Sequence, residues 1–333
     1  MAPKVSIVIP NYNGKEYLEK CLESLLVQDV DYFEIVVVDD CSKDDAFEEC
    51  RDKYQSKYDA KEINIKIKFI KRKENGGFCA SVNDGIVNSD GEFILLLNND
   101  TEADIGLVRN MYQAIWAERR VFSVGAKMIQ LHNKELLDDA GDLYCSLGWA
   151  FSPAKDKPVT KYNKKAKVFA CCGGCVIYRR SVLIKLGLFD DNHFAYLEDI
   201  DIAYRAKIHG YINIYEPKAV VYHAGSASSG SRHNEFKVTL AAKNSIYIIF
   251  KNMPAWQFII NWPQIILGIL IKMVFFTRKG LLGAYIKGLK QGFKLCHSKA
   301  GRRRKVDFSH IPLGRMIGIE LELLVNTVRR LVG

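Results

Sequence analysis

Disulfide frameworks, internal repeats, low-complexity tracts and an unbroken bilayer-length apolar run are all missing from this 333-residue chain. The nine cysteines are an odd number at no framework spacing, which excludes a stapled scaffold and points to a reducing compartment. Cys172-Gly-Gly-Cys175 is a lone CxxC, and without a second pair it reads as small residues in a strand or loop. Nothing at the start resembles a signal peptide, because Met1-Ala-Pro-Lys leads straight into an apolar strand at 5–10. The most apolar stretch, 256–276, is interrupted by Gln257, Asn261, Pro263, Gln264 and Lys272, which makes it a poor bilayer span. Acid is scarce in the last quarter. Residues 251–333 hold 15 Lys/Arg and 3 Asp/Glu, a net of +12, whereas 1–250 carry −2. A near-neutral body with a basic tail suits docking to an anionic surface. No nucleic-acid-binding motif accompanies that charge, so nucleic acid is not an expected partner.

What is present is an alternation of strands and helices. The spacing predicts strands at 5–10, 33–38, 63–70 and 93–97, with helices at 16–27, 44–58 and 79–87 between them. Elements of these lengths in this order imply βαβ units and a mostly parallel sheet. Phe93-Ile-Leu-Leu-Leu97 reads as a strand covered on both faces, and it ends abruptly in Asn98-Asn99-Asp100-Thr101. The strand at 33–38 ends in Asp39-Asp40. Ligands of open α/β sheets bind beyond the carboxyl ends of strands, so these polar ends mark one candidate edge. Further on, 170–178 reads as a strand with a glycine kink, and Tyr196 to Arg205 as a helix opening on Glu198, Asp199 and Asp201. For Asp201 the expectation is a simple helix N-terminal charge.

The C-terminal region, 251–333, is expected to be helical and amphipathic. One apolar stripe is Leu282, Tyr285, Ile286, Leu289 and Phe293, and a second is Ile317, Leu321, Leu324 and Val328. Between them lies Lys299-Ala-Gly-Arg-Arg-Arg-Lys305. Helices of this kind lie in a membrane interface, and such basic clusters favour anionic lipid; the alternative is packing on the body.

Eight ordered motifs resemble the inverting nucleotide-sugar glycosyltransferases of family 2. They are Val5-Ser-Ile-Val-Ile-Pro-Asn-Tyr-Asn-Gly14, Ile35-Val-Val-Val-Asp-Asp-Cys-Ser42, Asn75-Gly-Gly-Phe-Cys-Ala-Ser-Val-Asn83 and Leu95-Leu-Leu-Asn-Asn-Asp-Thr101. Gly173-Gly-Cys-Val-Ile-Tyr-Arg-Arg180, Gly187-Leu-Phe-Asp190, Tyr196-Leu-Glu-Asp-Ile-Asp-Ile-Ala-Tyr-Arg205 and Val221-Tyr-His-Ala-Gly-Ser226 follow. The resemblance covers roughly 4–250, and within the family it is to bacterial rhamnosyltransferases of cell-surface polysaccharide synthesis. It implies a GT-A α/β fold, with a nucleotide-binding half at 1–101 and an acceptor half at 102–250.

By matching position, the resemblance places Pro10 and Tyr12 over the nucleotide base, with Asp39 or Asp40 accepting from base or ribose. Asn75, Gly76 and Gly77 then let the backbone approach the diphosphate, supported by Asn83 and by Asn98 and Asn99. Asp100 is the expected ligand of a divalent cation, Mg²⁺ or Mn²⁺, with His223 as its partner. Asn98 stands where the family usually has an acidic residue, which predicts weaker metal affinity. Asp199 matches the general base, with Glu198 as the alternative, and Arg205 is placed to contact the diphosphate or brace that loop.

The activity implied is transfer of L-rhamnose from dTDP-rhamnose to a lipid-linked glycan, in the cytoplasm on the inner face of the cytoplasmic membrane. UDP-galactofuranose, UDP-glucose and UDP-N-acetylglucosamine are the alternative donors. A nucleotidyltransferase would share the fold, but its Gly-x-Gly-Thr-Arg start is absent. A non-catalytic binding module is disfavoured by the retained Asp100, Asp199 and His223.

Overall fold

The computed structural model describes residues 3–225 and 233–332; Ser226, the last residue of its motif, lies outside them. The first third runs β1 (Val5–Asn11), α1 (Leu18–Leu26), β2 (Phe33–Asp39), α2 (Ala46–Asp59), β3 (Ile67–Lys71), α3 (Gly77–Val87) and β4 (Phe93–Leu97). Then come β5 (Thr101–Ala103), α4 (Leu107–Trp116), β6 (Val121–Gln130), β7 (Asn133–Asp139), β8 (Leu143–Tyr144), β9 (Ala150–Phe151), β10 (Ala166–Val168) and β11 (Cys175–Arg179). The chain continues through α5 (Arg180–Lys185), α6 (Glu198–Ile208) and β12 (Ile212–His223). Helices complete it: α7 (Glu235–Asn252), α8 (Ala255–Arg278), α9 (Leu282–His297), α10 (Lys299–Arg303) and α11 (Leu313–Val332).

One mixed sheet organises the body, in the order β10-β12-β6-β11-β4-β1-β2-β3. Strands β3, β2, β1 and β4 are parallel, and β11 enters antiparallel between β4 and β6. Every residue of β2 and β4 is buried because helices cover both faces. The lysines of β3 sit on an edge strand, where charge discourages further pairing. From β1 the chain steps outward to β2 and β3, then returns to place β4 on the other side of β1. That reversal opens a crevice at the strand ends, the usual binding place in such sheets.

Three sequence expectations are corrected here. The strand foreseen at 63–70 is paired only over Ile67–Lys71. The one foreseen at 170–178 begins at Cys175, because the preceding residues turn at the CxxC, where Cys175 N donates to Cys172 O. Asp201 is no surface helix charge. It is fully buried and receives Arg205, Lys251 and Asn252, which ties α6 to α7. Burial works against its ionisation, but Arg205 and Lys251 outweigh burial and hold the carboxyl well below the usual range.

The C-terminal helices pack on the body and still leave much apolar surface exposed. The interrupted stretch at 256–276 forms one continuous helix, α8, long and apolar enough by length and composition to cross a membrane. Two of its polar residues face the body. Gln257 and Asn261 turn inward and both donate to Glu320 of α11, at 2.8 Å each. Ile265 and Gly268 continue that buried stripe, with Gly268 against the Leu147 carbonyl. On α11 the apolar stripe read from the sequence faces outward, and the alternative of packing it on the body does not hold. Ile317, Leu321, Leu324 and Val328 are exposed, while Met316, Ile319, Glu320, Leu323 and Asn326 are buried. The reason is polar satisfaction: Glu320 accepts two amides, and Asn326 donates to the Tyr144 carbonyl. Helix α9 docks on α7 through Tyr285, Gly288 and Gly292, leaving Phe293 exposed.

Candidate active site

The carboxyl ends of β1, β2 and β4 open into a cleft of about 1190 Å³. Pro10, Tyr12, Asp40, Asn75 and Gly77 line one end, with Asn98, Asn99, Asp100 and His223 further along. The opposite wall carries Asp142, Cys172, Gly173, Glu198 and Asp199. Residues scattered over 200 positions therefore share one cavity.

Asp100 and His223 meet because β5, just past Asp100, pairs with the end of β12, with Thr101 opposite His223. His223 Nε2 lies 3.2 Å from Asp100 Oδ1, and its Nδ1 lies 2.7 Å from Asp138 Oδ2. Asp138 is in turn held by Lys155. Burial opposes a charge on His223, yet Asp100 and Asp138 outweigh it and lift the imidazole to about 9. Burial likewise opposes ionisation of Asp138, but His223 and Lys155 prevail and hold it at about 2. A carboxylate behind an imidazole that faces a second carboxylate is how proteins orient metal-binding histidines.

Across the cleft, Asp199 and Glu198 open α6. The preceding loop is strained: Phe194, Tyr196 and Leu197 have φ of 65°, 70° and 65°. Asn244 of α7 holds it, donating from Nδ2 toward the carbonyls of His193, Ala195 and Tyr196 at 2.7–3.1 Å. Asp199 accepts from Ile200 N and Gly173 N, but burial raises its carboxyl above the ordinary range. Burial, then the Asp199 charge, pushes Glu198 to about 8, and Glu198 Oε2 is buried without a hydrogen-bond partner. Asp142 and Cys172 place ligand atoms within 4.8 Å of Asp199. Burial pushes Asp142 and the Cys172 thiol upward, which disfavours a Cys172 thiolate.

Several residues proposed from the sequence are engaged elsewhere. Asp39 accepts from Asn11 Nδ2 at 2.8 Å and from Ser42, and it does not line the cleft. Asn99 Nδ2 donates to Asn11 Oδ1, so Asp39, Asn11 and Asn99 form a brace across three strand ends. Asp40 lines the cleft, but its oxygens receive Arg72, Gly76 N and Gly77 N. The glycine loop thus turns these N–H groups to Asp40 rather than into open space. Gly77 is required for a second reason: its φ is +82°, and a Cβ there would lie 2.6 Å from the Phe194 ring. Asn83 donates to Phe189 O and Asp191, outside the cleft. Arg205 binds Asp201 and the carbonyls of Leu186 and Leu188; it braces α6 and does not face the cleft. Asp138, Asp142 and Asn244 were not anticipated. The first two had a visible signal in the acidic run Asp138-Asp139-Ala-Gly-Asp142, whereas Asn244 had none.

The mixed α/β sheet, with its switch-point crevice and flanking helices, is the GT-A architecture of glycosyltransferases. Glycosyl transferase family 2 matches residues 6–187, and the chain belongs to that family. It is 31% identical over 122 residues to Glycosyltransferase GlyA of Streptococcus pneumoniae, covering 37% of this chain and 16% of that protein. An uncharacterized glycosyltransferase of Rickettsia typhi is 28% identical over 218 residues, 61% of this chain and 58% of the relative. An N-acetylglucosaminyltransferase of Azorhizobium caulinodans is 29% identical over 189 residues, 56% of this chain and 44% of that protein. The chain thus spans less than two thirds of each of these relatives. Among solved structures, GalNAc-T7 with UDP, GalNAc and Mn²⁺ superposes with a TM-score of 0.60 at 16% identity, over 74% of this chain and 48% of the other. The Pyrobaculum calidifontis mannosyltransferase with GDP-Man and Mn²⁺ gives 0.53 at 18% identity, over 100% and 88%. These structural likenesses establish the fold.

Proposed function

We propose that the protein transfers a sugar, with inversion, from a nucleoside-diphosphate donor to a lipid-linked acceptor at a membrane surface. One observation carries the reading: a single cleft holds the Asp100–His223 pair on one wall and the adjacent carboxyls of Asp199 and Glu198 on the other. Pro10 and Tyr12, at the end of β1, offer the base a ring face, and Asn75 and Asn98 supply amides toward the donor.

The donor set suits a divalent cation. Asp100 offers a hard oxygen, and Asp138 on Nδ1 directs the other imidazole nitrogen toward Asp100, where the proton that the lifted imidazole otherwise holds would give way to a cation. Asp100 and His223 would hold Mn²⁺ or Mg²⁺, which neutralises charge on a leaving diphosphate. The protein's own contribution is proton handling. As the acceptor hydroxyl attacks the anomeric carbon, the bond to the nucleoside diphosphate breaks on the opposite face, and Asp199 takes the hydroxyl proton. Its raised pKa makes it a stronger base than an exposed aspartate. Glu198, neutral below about 8, is left able to donate to a sugar hydroxyl.

Motif resemblance puts dTDP-rhamnose first among donors. The N-acetylglucosaminyltransferase relative and the UDP and GDP-Man complexes of the neighbours put UDP-N-acetylglucosamine and GDP-mannose beside it. Membrane association is supported by the exposed faces of α8 and α11, where Trp262, Leu267, Leu270, Leu321, Val325 and Val328 are 50–60% exposed. One stripe of α8 is packed on the body from Gln257 to Gly268, which favours lying in the interface over crossing it. The test is release of nucleoside diphosphate from a donor panel, with Mn²⁺ and a lipid-linked acceptor extract. No release from any donor under these conditions would end the reading.

A further inference from the structure

Beside the catalytic cleft lies a second cavity, of about 570 Å³, between the 149–151 segment, α7, α8 and α11. Ala150, Phe151, Tyr196, Lys237 and Ala241 line both cavities, so the second opens directly along the cleft wall. Its other walls divide by chemistry. Trp149, Ile271, Phe275 and Phe276 are apolar, and Ile271 and Phe275 belong to the exposed face of α8. Lys272 and Arg330 are cationic, and no Asp or Glu is among the described residues that line it. Both cations are held on aromatic rings. Lys272 Nζ lies 5.4 Å from the Trp149 ring centre and Arg330 Cζ 5.6 Å from that of Phe151. Burial pushes the Lys272 ammonium down to about 8; Arg330 adds to this and Cys145 opposes it. An anion placed between the two cations relieves both burial and repulsion.

We infer that this cavity seats the phosphate-bearing end of the lipid-linked acceptor, with its phosphate between Lys272 and Arg330 and its chain leaving along Ile271 and Phe275. The inference rests on the glycosyltransferase reading and names the acceptor's place in it. Three features select this occupant. The apolar wall is continuous with the exposed apolar face of α8 through Ile271 and Phe275, the face that the proposed function sets against a membrane. The cations suit a phosphate, which planar Arg and point-charge Lys both bind. The shared wall puts a sugar attached to that phosphate within the cleft that holds Asp199.

The experiment is direct binding of farnesyl phosphate to the full chain in detergent-free buffer, with farnesol, inorganic phosphate and phosphatidylglycerol vesicles as competitors. Farnesyl phosphate is expected to bind at least about tenfold tighter than farnesol, and Lys272→Gln with Arg330→Gln to lose about tenfold or more of that affinity. Equal binding of the alcohol, or an unaffected double variant, overturns the assignment. Displacement by inorganic phosphate alone would mean a simple anion site, and displacement by the vesicles a membrane-lipid site; either also overturns it. No donor is present in this assay, so its failure is separate from failure of the nucleotide-release test. Each variant is checked for an unchanged circular dichroism spectrum, and Lys272→Arg is expected to retain binding where Lys272→Gln does not.

Discussion

His223 Nδ1 lies 2.7 Å from Asp138 Oδ2, and this contact turns the other imidazole nitrogen toward Asp100. Asp138→Asn keeps the shape but lets the amide meet the ring in either sense, so the orientation is no longer chosen. Mn²⁺ affinity is expected to fall by about 10- to 100-fold. Titration calorimetry of the full chain with Mn²⁺ checks this, and an unchanged affinity would remove Asp138 from the site.

Asp199→Asn should lower kcat by at least about 10²-fold while the donor KM stays close to that of the unaltered protein. Glu198→Gln separates the two carboxyls: if it, and not Asp199→Asn, abolishes turnover, the base is Glu198.

The pH profile follows from the raised Asp199 carboxyl. A base must be ionised to accept a proton, so activity is present above its folded-state pKa and is lost as pH falls through it. The acidic limb of kcat is therefore expected above the ordinary aspartate range. A limb at the ordinary value would show that solvent reaches Asp199 freely.

Asn244 is a positioning residue, because it touches three loop carbonyls and does not line the cleft. Asn244→Ala frees a loop that carries three positive-φ residues before Glu198 and Asp199. The expected signature is a kcat loss of about tenfold to 100-fold with donor KM retained. A variant that only unfolds at lower temperature, with kcat intact, would confine Asn244 to stability.

Trp262→Glu, Leu267→Glu and Leu321→Glu alter residues that are more than half exposed. Each should change stability by no more than about 0.5 kcal/mol. Combined, they should abolish flotation with phosphatidylglycerol vesicles. By contrast Lys251→Met, which strips the buried partner from Asp190 and Asp201, should cost about 3–5 kcal/mol in chemical denaturation.

Much of the parallel half was legible in the chain. The unbroken apolar runs of β2 and β4 leave little alternative to buried strands, and their polar ends had to lie at one sheet edge. The motif order was enough to name the family, and Pro10, Tyr12, Asp100, Asp199 and His223 do share one cleft. The residues that fall away from the cleft do so for a common physical reason. Asp39 and Asn83 are polar residues in the right neighbourhood, but their hydrogen bonds are spent on Asn11 and Phe189, while Arg205 takes the bracing alternative. Those two partners lie 28 and 106 positions away and leave no local trace.

By itself, then, the sequence determined the order of strands and helices in the first hundred residues, which edge carries the polar ends, and that the last quarter is basic and amphipathic. Those properties follow from local periodicity and composition. Only the tertiary structure decided which face of α11 is buried, because that depends on Glu320 finding Gln257 and Asn261 on another helix. The same holds for Asp138 behind His223, Asn244 beneath the loop, and a cationic cavity opening on the cleft. Each is an agreement between distant segments, made where burial leaves a polar group no water to turn to.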